Sequence, residues 1–101
     1  MVRHLVAWNY AEGFTEEENR KNAGIMKQEL ENLKNLIDGI ISIKLYTNPL
    51  GTSDADLLLD SVFENEEALK AYVVHPEHVR VGTNYVKPVV RNRKCIDMSM
   101  D

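Results

Sequence analysis

The sequence predicts an α+β domain with the element order strand, helix, strand, strand, helix, strand, and three observations carry that reading. Val2–Tyr10 alternates like a strand: Val2, His4, Val6, Trp8 and Tyr10 share one face and Arg3, Leu5, Ala7 and Asn9 the other. Thr15-Glu16-Glu17-Glu18 is a capping box that opens a helix. A period-two run at 56–64 is followed directly by a second capped helical pattern, which Pro76 interrupts.

The elements follow in order. Both faces of the first strand carry apolar residues, so cover is expected on both sides. After Gly13, the acidic turn at Glu16-Glu17-Glu18 suits the positive end of a helix. Ala23, Met26, Leu30, Leu33 and Ile37 recur at three- and four-residue steps, and Gly39 ends the stripe. Residues 40–47, rich in Ile and Tyr, read as the second strand, and Asn48 to Asp54 has loop composition. In the third strand, Leu57, Leu59, Ser61 and Phe63 oppose Leu58, Asp60, Val62 and Glu64. Asn65 caps the second helix, whose inner stripe is Ala68, Leu69 and Tyr72. Pro76 then begins a short third helix carrying His78, Val81, Gly82 and Tyr85, which Pro88 ends. Residues 89–100 form the last strand.

This order is the split βαβ arrangement of ferredoxin-like folds, with helices on one sheet face only. The other face would carry Leu5, Ala7, Leu58 and Val62. Such an exposed apolar surface on a small domain predicts a two-fold dimer, sheet against sheet.

Composition bounds the function. A chain of 101 residues is one domain, residues 1–101. Its hydrophobic content of 44% is that of a globular protein, and its net charge of −4 argues against a nucleic-acid partner. The local excess Arg91-Asn92-Arg93-Lys94 reads as a solvated strand entry, too short to form a groove. The apolar runs are too short to span a bilayer, so no membrane partner is expected. The chain enters its strand pattern at Val2, so no cleaved leader is expected. A single cysteine, Cys95, precludes an internal disulfide and suits the reducing cytoplasm. As a strand residue it reads as a small core side chain.

Candidate chemistry lies with the histidines. His4 sits on the strand face with Val6 and Trp8, Tyr72 on the inner stripe of the second helix, and His78 just past the Pro76 break. Imidazoles beside a phenol form a set able to move a proton next to a carbonyl. His78 reads as a general base, because imidazole titrates near physiological pH, or as a structural histidine bonded to a neighbouring backbone group. Tyr72 reads as a donor to a carbonyl oxygen as charge develops on it, or as a core aromatic with its hydroxyl satisfied. His4 orients one or both, and Tyr72 is expected to find a hydrogen-bond partner in His78 or His4. The pocket is expected to be lined by Val6, Trp8, Leu59, Ser61, Leu69 and Val81. His75, before Pro76, is expected to be a cap or a surface residue and not a ligand. With Glu77 and His78 it matches no standard zinc spacing, so no metal site is expected.

Arg3-His4-Leu5-Val6, the split βαβ order, and above all Ala71-Tyr72 followed by His75-Pro76-Glu77-His78 resemble the stress-responsive A/B barrel, or Dabb, domain family across the whole chain. The resemblance implies a dimeric α/β barrel. It also implies a candidate activity, because one characterised member, olivetolic acid cyclase, closes a linear polyketide by aldol condensation without a cofactor. That enzyme's catalytic tyrosine and histidine match Tyr72 and His78, and its strand histidine matches His4. The first helix differs, carrying Asn22, Ala23 and Met26 where the cyclase has bulky aromatics. The resemblance therefore carries over the proton-transfer group and not the polyketide. The expected function is a homodimer with a small-molecule pocket that acts, without a cofactor, as a cyclase or lyase on a small apolar or phenolic carbonyl compound. The alternative is a dimer that binds such a ligand unchanged or is purely structural.

Overall fold

Four strands, β1 (Val2–Tyr10), β2 (Ile40–Tyr46), β3 (Leu57–Phe63) and β4 (Val90–Ser99), form one antiparallel sheet in a computed structural model that describes all 101 residues. The strand order is β2-β3-β1-β4. Helices α1 (Glu16–Glu31), α2 (Glu66–Val74) and α3 (Pro76–Val81) supply the second layer. This is the expected α+β ferredoxin-like fold. No helix is long and apolar enough to cross a membrane.

Local chemistry places each element. Thr15 and Glu18 exchange capping bonds of 3.1 and 2.8 Å, which satisfies two free donors at the start of α1. The Asn65 side chain accepts from the Ala68 amide and starts α2. His75 caps α3, its Nδ1 accepting from the Glu77 amide at 3.0 Å, with Pro76 in the first turn where its missing N–H costs nothing.

Two helix boundaries differ from the sequence reading. Helix α1 ends at Glu31, and Asn32–Asn35 tightens into a 3₁₀ turn. Leu33 and Ile37 stay buried because the tighter turn still points them inward. The third helix does not stay regular up to Pro88: Gly82–Val86 widens into a π turn and Lys87–Val89 closes as a 3₁₀ turn.

The core lies between the helices and one sheet face. Met26, Leu33, Phe63, Tyr72 and Val81 are wholly removed from water. Helix α1 also guards the edge strand β2: the Leu45 amide donates to Glu31 and its carbonyl accepts from Lys27, so two backbone groups that could template another strand are occupied.

Gly39 ends the first helical stripe with φ +91°, a conformation that glycine tolerates and L side chains do not. A Cβ there would lie 2.7 Å from Ala68 Cβ, so Gly39 also sets how closely α2 approaches. Gly39→Ala combines left-handed strain with overpacking, about 1–3 kcal/mol each. Its melting temperature should fall by roughly 10 °C or more. An unchanged melting curve would mean that the turn repacks freely.

The second sheet face carries no helix. The register sets Tyr46 beside Leu58, Leu58 beside Ala7, and Leu5 beside Ile96 on that side. Tyr46, Leu58, Ile96 and Met98 are 48%, 38%, 53% and 60% exposed. Arg3 and Asp60 form an ion pair of 3.1 Å on the same face. Val62 departs from the expected exposed set: it is only 6% exposed within one chain, opposite Arg3 and Ser42.

Candidate functional site

A cavity of about 300 Å³ opens between the β1–β4 side of the sheet and the segment following α3. Its apolar wall includes Val6, Trp8, Leu30, Leu59 and Val86, and its polar groups include His4, Tyr72 and His78. The three residues singled out from the sequence, 74 positions apart at the extremes, therefore border one space. Trp8 forms part of the wall without filling it.

The Tyr72 and His78 rings lie 4.3 Å apart between centroids at an angle of 44°. His4 approaches Tyr72 edge-on at 6.1 Å, and Phe63 backs Tyr72 at 4.9 Å. Tyr72 was expected to hydrogen-bond to His78 or His4. Its hydroxyl is instead buried with no partner. The phenol on α2 and the imidazole on the first turn of α3 meet through their rings at a tilt, and the hydroxyl makes no bond to either ring nitrogen. Burial pushes the Tyr72 hydroxyl well above the ordinary phenol range, so it remains a proton donor.

His78 is held from behind. Its Nδ1–H donates to the Val73 carbonyl at 3.0 Å, which leaves Nε2 as the acceptor nitrogen. Burial is the main reason its pKa lies below the ordinary imidazole value, and the charges of Arg93 and Lys87 and the nearby His4 push the same way against the Val73 bond. The side chain is thus neutral near pH 7.

His4 has a partner that the sequence did not disclose. Its Nδ1 lies 2.5 Å from Asp97 Oδ1 across the β1–β4 ladder, where His4 and Asp97 face each other in register. A carboxylate on Nδ1 fixes the tautomer and orientation of the ring. Cys95 follows two residues earlier on the same face, with Sγ 3.8 Å from His4 Nδ1. It is exposed, not the core side chain expected, because no helix covers that part of β4. Nδ1 of His4, Sγ of Cys95 and a carboxylate oxygen of Asp97 could together approach a metal ion. The 2.5 Å contact is the length of a hydrogen bond, whereas two ligands of one tetrahedral ion sit about 3.3 Å apart.

Three residues of the expected lining lie elsewhere. Ser61 is fully buried in β3 and spends its hydroxyl on the His4 carbonyl at 3.1 Å. Val81 is wholly within the core. Leu69 borders a separate groove between α2 and the β1–β4 edge, with Val73, Val74 and Met98. All three sit on inward faces, as their spacing requires, but the core packs directly against them.

The wall also contains residues that were read as solvent-facing. Arg91, Asn92 and Arg93 all border the cavity, joined by Lys87. In a regular strand alternate residues turn away. Here Ala7 pairs with Lys94 and Asn9 with Arg91, so Trp8 alone faces both Asn92 and Arg93: a β-bulge. Asn92 takes φ 56°, which asparagine accepts more readily than most residues. The bulge brings Arg91, Asn92 and Arg93 to the border of one space, while the Asn92 amide reaches the Asn9 side chain at 3.4 Å, and a charge cluster in sequence does not announce this.

Comparison with known proteins now decides the family. The chain matches the family described as Stress responsive A/B Barrel Domain over residues 2–100. The chain belongs to the Dabb family. Among solved structures, this Dabb chain is similar to a dimeric ferredoxin-like protein of unknown function from Bacteroides fragilis, at 27% identity and a TM-score of 0.89, with 98% of this chain and 95% of that one covered. A dimeric ferredoxin-like protein of unknown function from Thermobifida fusca shares 17% identity at a TM-score of 0.79, covering 98% and 90%. A hydroxynitrile lyase from Passiflora edulis shares 15% identity at a TM-score of 0.81, covering 99% and 93%. No curated protein sequence matches the chain. Two of these neighbours are thus described as dimeric and of unknown function, and a lyase shares their fold.

Proposed function

We propose that this Dabb domain is a homodimer, joined through the open sheet face, that acts as a cyclase or lyase on a small carbonyl compound using a Tyr72–His78 pair. The observation that carries the reading is the buried, unpartnered Tyr72 hydroxyl at a cavity wall beside a neutral imidazole. An unsatisfied buried hydroxyl costs about 1–3 kcal/mol, and a ligand oxygen in the cavity would remove that cost. His78 Nε2 takes a proton from the carbon next to the carbonyl. The electron pair moves onto the carbonyl oxygen, where Tyr72 donates a hydrogen bond to the developing charge. The enolate then attacks a second carbonyl in the same molecule, and the alkoxide so formed takes the proton back from His78; alternatively the enolate expels a leaving group from the β-carbon, which takes that proton. His4, held by Asp97, orients the pair. The step uses only protons held by these side chains. A hydroxynitrile lyase of the same fold supports a base-assisted reaction at such a site.

The test is deuterium exchange into the methyl groups of acetophenone, 4-hydroxyacetophenone and 4-acetylbenzoate in D₂O, followed by proton NMR. Catalysed exchange above the buffer rate is expected for at least one of the three. Its pH profile should show an acid limb only. The base works when unprotonated, so the rate falls as pH drops through the His78 pKa, which lies below the ordinary value of about 6.5. Tyr72 stays protonated because its pKa is raised, so it contributes no alkaline limb below the ordinary phenol range. Buffer-rate exchange for all three ketones would overturn the reading.

A further inference from the structure

The charge around the cavity has the opposite sign to the charge of the protein. Acidic residues outnumber basic ones 16 to 12 along the chain, yet no aspartate or glutamate borders the cavity, whereas Lys87, Arg91 and Arg93 do. None of these three cations lies within ion-pair distance of a carboxylate, although Arg3, Arg20, Lys27, Lys70 and Arg80 each have such a partner. Arg91 and Arg93 both border the cavity beside the bulge opposite Trp8, and the Arg91 Nε–H donates to the Tyr10 carbonyl at 3.0 Å, which leaves its terminal nitrogens free. The nearest carboxylate on the inner face of β4, Asp97, is occupied by His4 and does not border the cavity.

We infer that the cavity binds an organic oxyanion, a carboxylate or phosphate ester, with the charged group seated at the Lys87–Arg91–Arg93 rim and the apolar body against Val6, Trp8 and Leu59. Arginine forks match either oxyanion in a two-point geometry, so the two share one recognition chemistry. This names the substrate class of the site proposed above; its extension to a carbonyl substrate rests on that reading, while oxyanion binding itself does not. The rim also acts on the base. Burial is the main reason that His78 stays neutral, and the charges of Arg93 and Lys87 push the same way. A bound anion offsets their field and raises the basicity of the imidazole, so the base strengthens when the ligand arrives.

The experiment compares benzoate, phenyl phosphate and neutral benzamide by titration calorimetry at low and high salt, with the His78 Cε1–H resonance as the local reporter. At low salt, at least one oxyanion should bind ten-fold or more tightly than benzamide and shift the His78 resonance. The tighter of the two identifies which oxyanion the site takes. The Arg91→Gln/Arg93→Gln pair should weaken that binding at least ten-fold and erase the preference. Lys87→Gln, at a separate exposed position, should weaken it less, and Arg20→Gln on α1 should leave it unchanged. His78→Ala should still bind the oxyanion, so failed proton exchange with retained binding sinks the catalytic reading alone. The inference is overturned if benzamide binds as tightly as both anions, if none of the three binds at millimolar concentration, or if the rim variants bind the oxyanion like the parent.

Discussion

Tyr72→Phe is expected to melt at a higher temperature than the parent and to lose most of its proton-exchange activity. The two effects have one cause. The Tyr72 hydroxyl is buried without a partner, and such a group destabilises the folded state by about 1–3 kcal/mol. Phenylalanine keeps the ring that packs on Phe63 and His78 and removes only the oxygen. A gain of several degrees follows for a domain of this size. The same oxygen is the donor to the developing oxyanion, and loss of one such donor typically lowers a rate by about 10²–10³. His78→Ala should lower exchange by about 10²–10⁴, with kcat falling more than KM changes, because a base acts in the transition state. It loses one bond to the Val73 carbonyl, so a stability cost of about 1 kcal/mol is expected. Both variants should remain dimers. A lower melting temperature with intact activity in Tyr72→Phe would make the phenol architectural and end the catalytic assignment.

The second large effect is expected at the open sheet face. Leu58→Asp should convert the dimer to a monomer at concentrations where the parent is fully associated. Two-fold symmetry brings the substitution into the interface twice, and an unpaired charge in a desolvated apolar patch costs several kcal/mol. The dissociation constant should rise at least 100-fold, about 3 kcal/mol. Leu58 is 38% exposed in a single chain, so the monomer should fold normally. Val62 is a poorer probe, because it is already buried within one chain and a charge there would damage the fold as well as the contact. Sedimentation at unchanged mass for Leu58→Asp, with the parent dimeric, would place the interface elsewhere.

How far the sequence reached differs between the fold and the site. The fold was legible because period and capping are local. The alternation of β1, the Thr15–Glu18 box, the Asn65 cap and the Pro76 break each act within a few residues, and each has the predicted form. The inward faces of β1, α2 and α3 followed from the same periods, and these place His4, Tyr72 and His78 around one space. Periodicity states which way a side chain turns and not what it meets, so Ser61, Leu69 and Val81 were assigned to a cavity that core packing closes to them.

What the residues determined unaided was therefore the set of elements, their order, and the face each candidate group presents, since these depend on interactions within a helical turn or a strand. Tertiary structure alone decided the partners: Asp97 on His4, the lack of a hydrogen-bond partner for the buried Tyr72 hydroxyl, and the three cations at the rim. The His4–Asp97 contact depends on the β1–β4 register and the placing of Arg91 and Arg93 on its bulge, which join residues some ninety positions apart. A long-range pairing is set by the fit of the whole sheet, and no local pattern around residues 91–97 encodes which strand lies opposite or where the ladder slips.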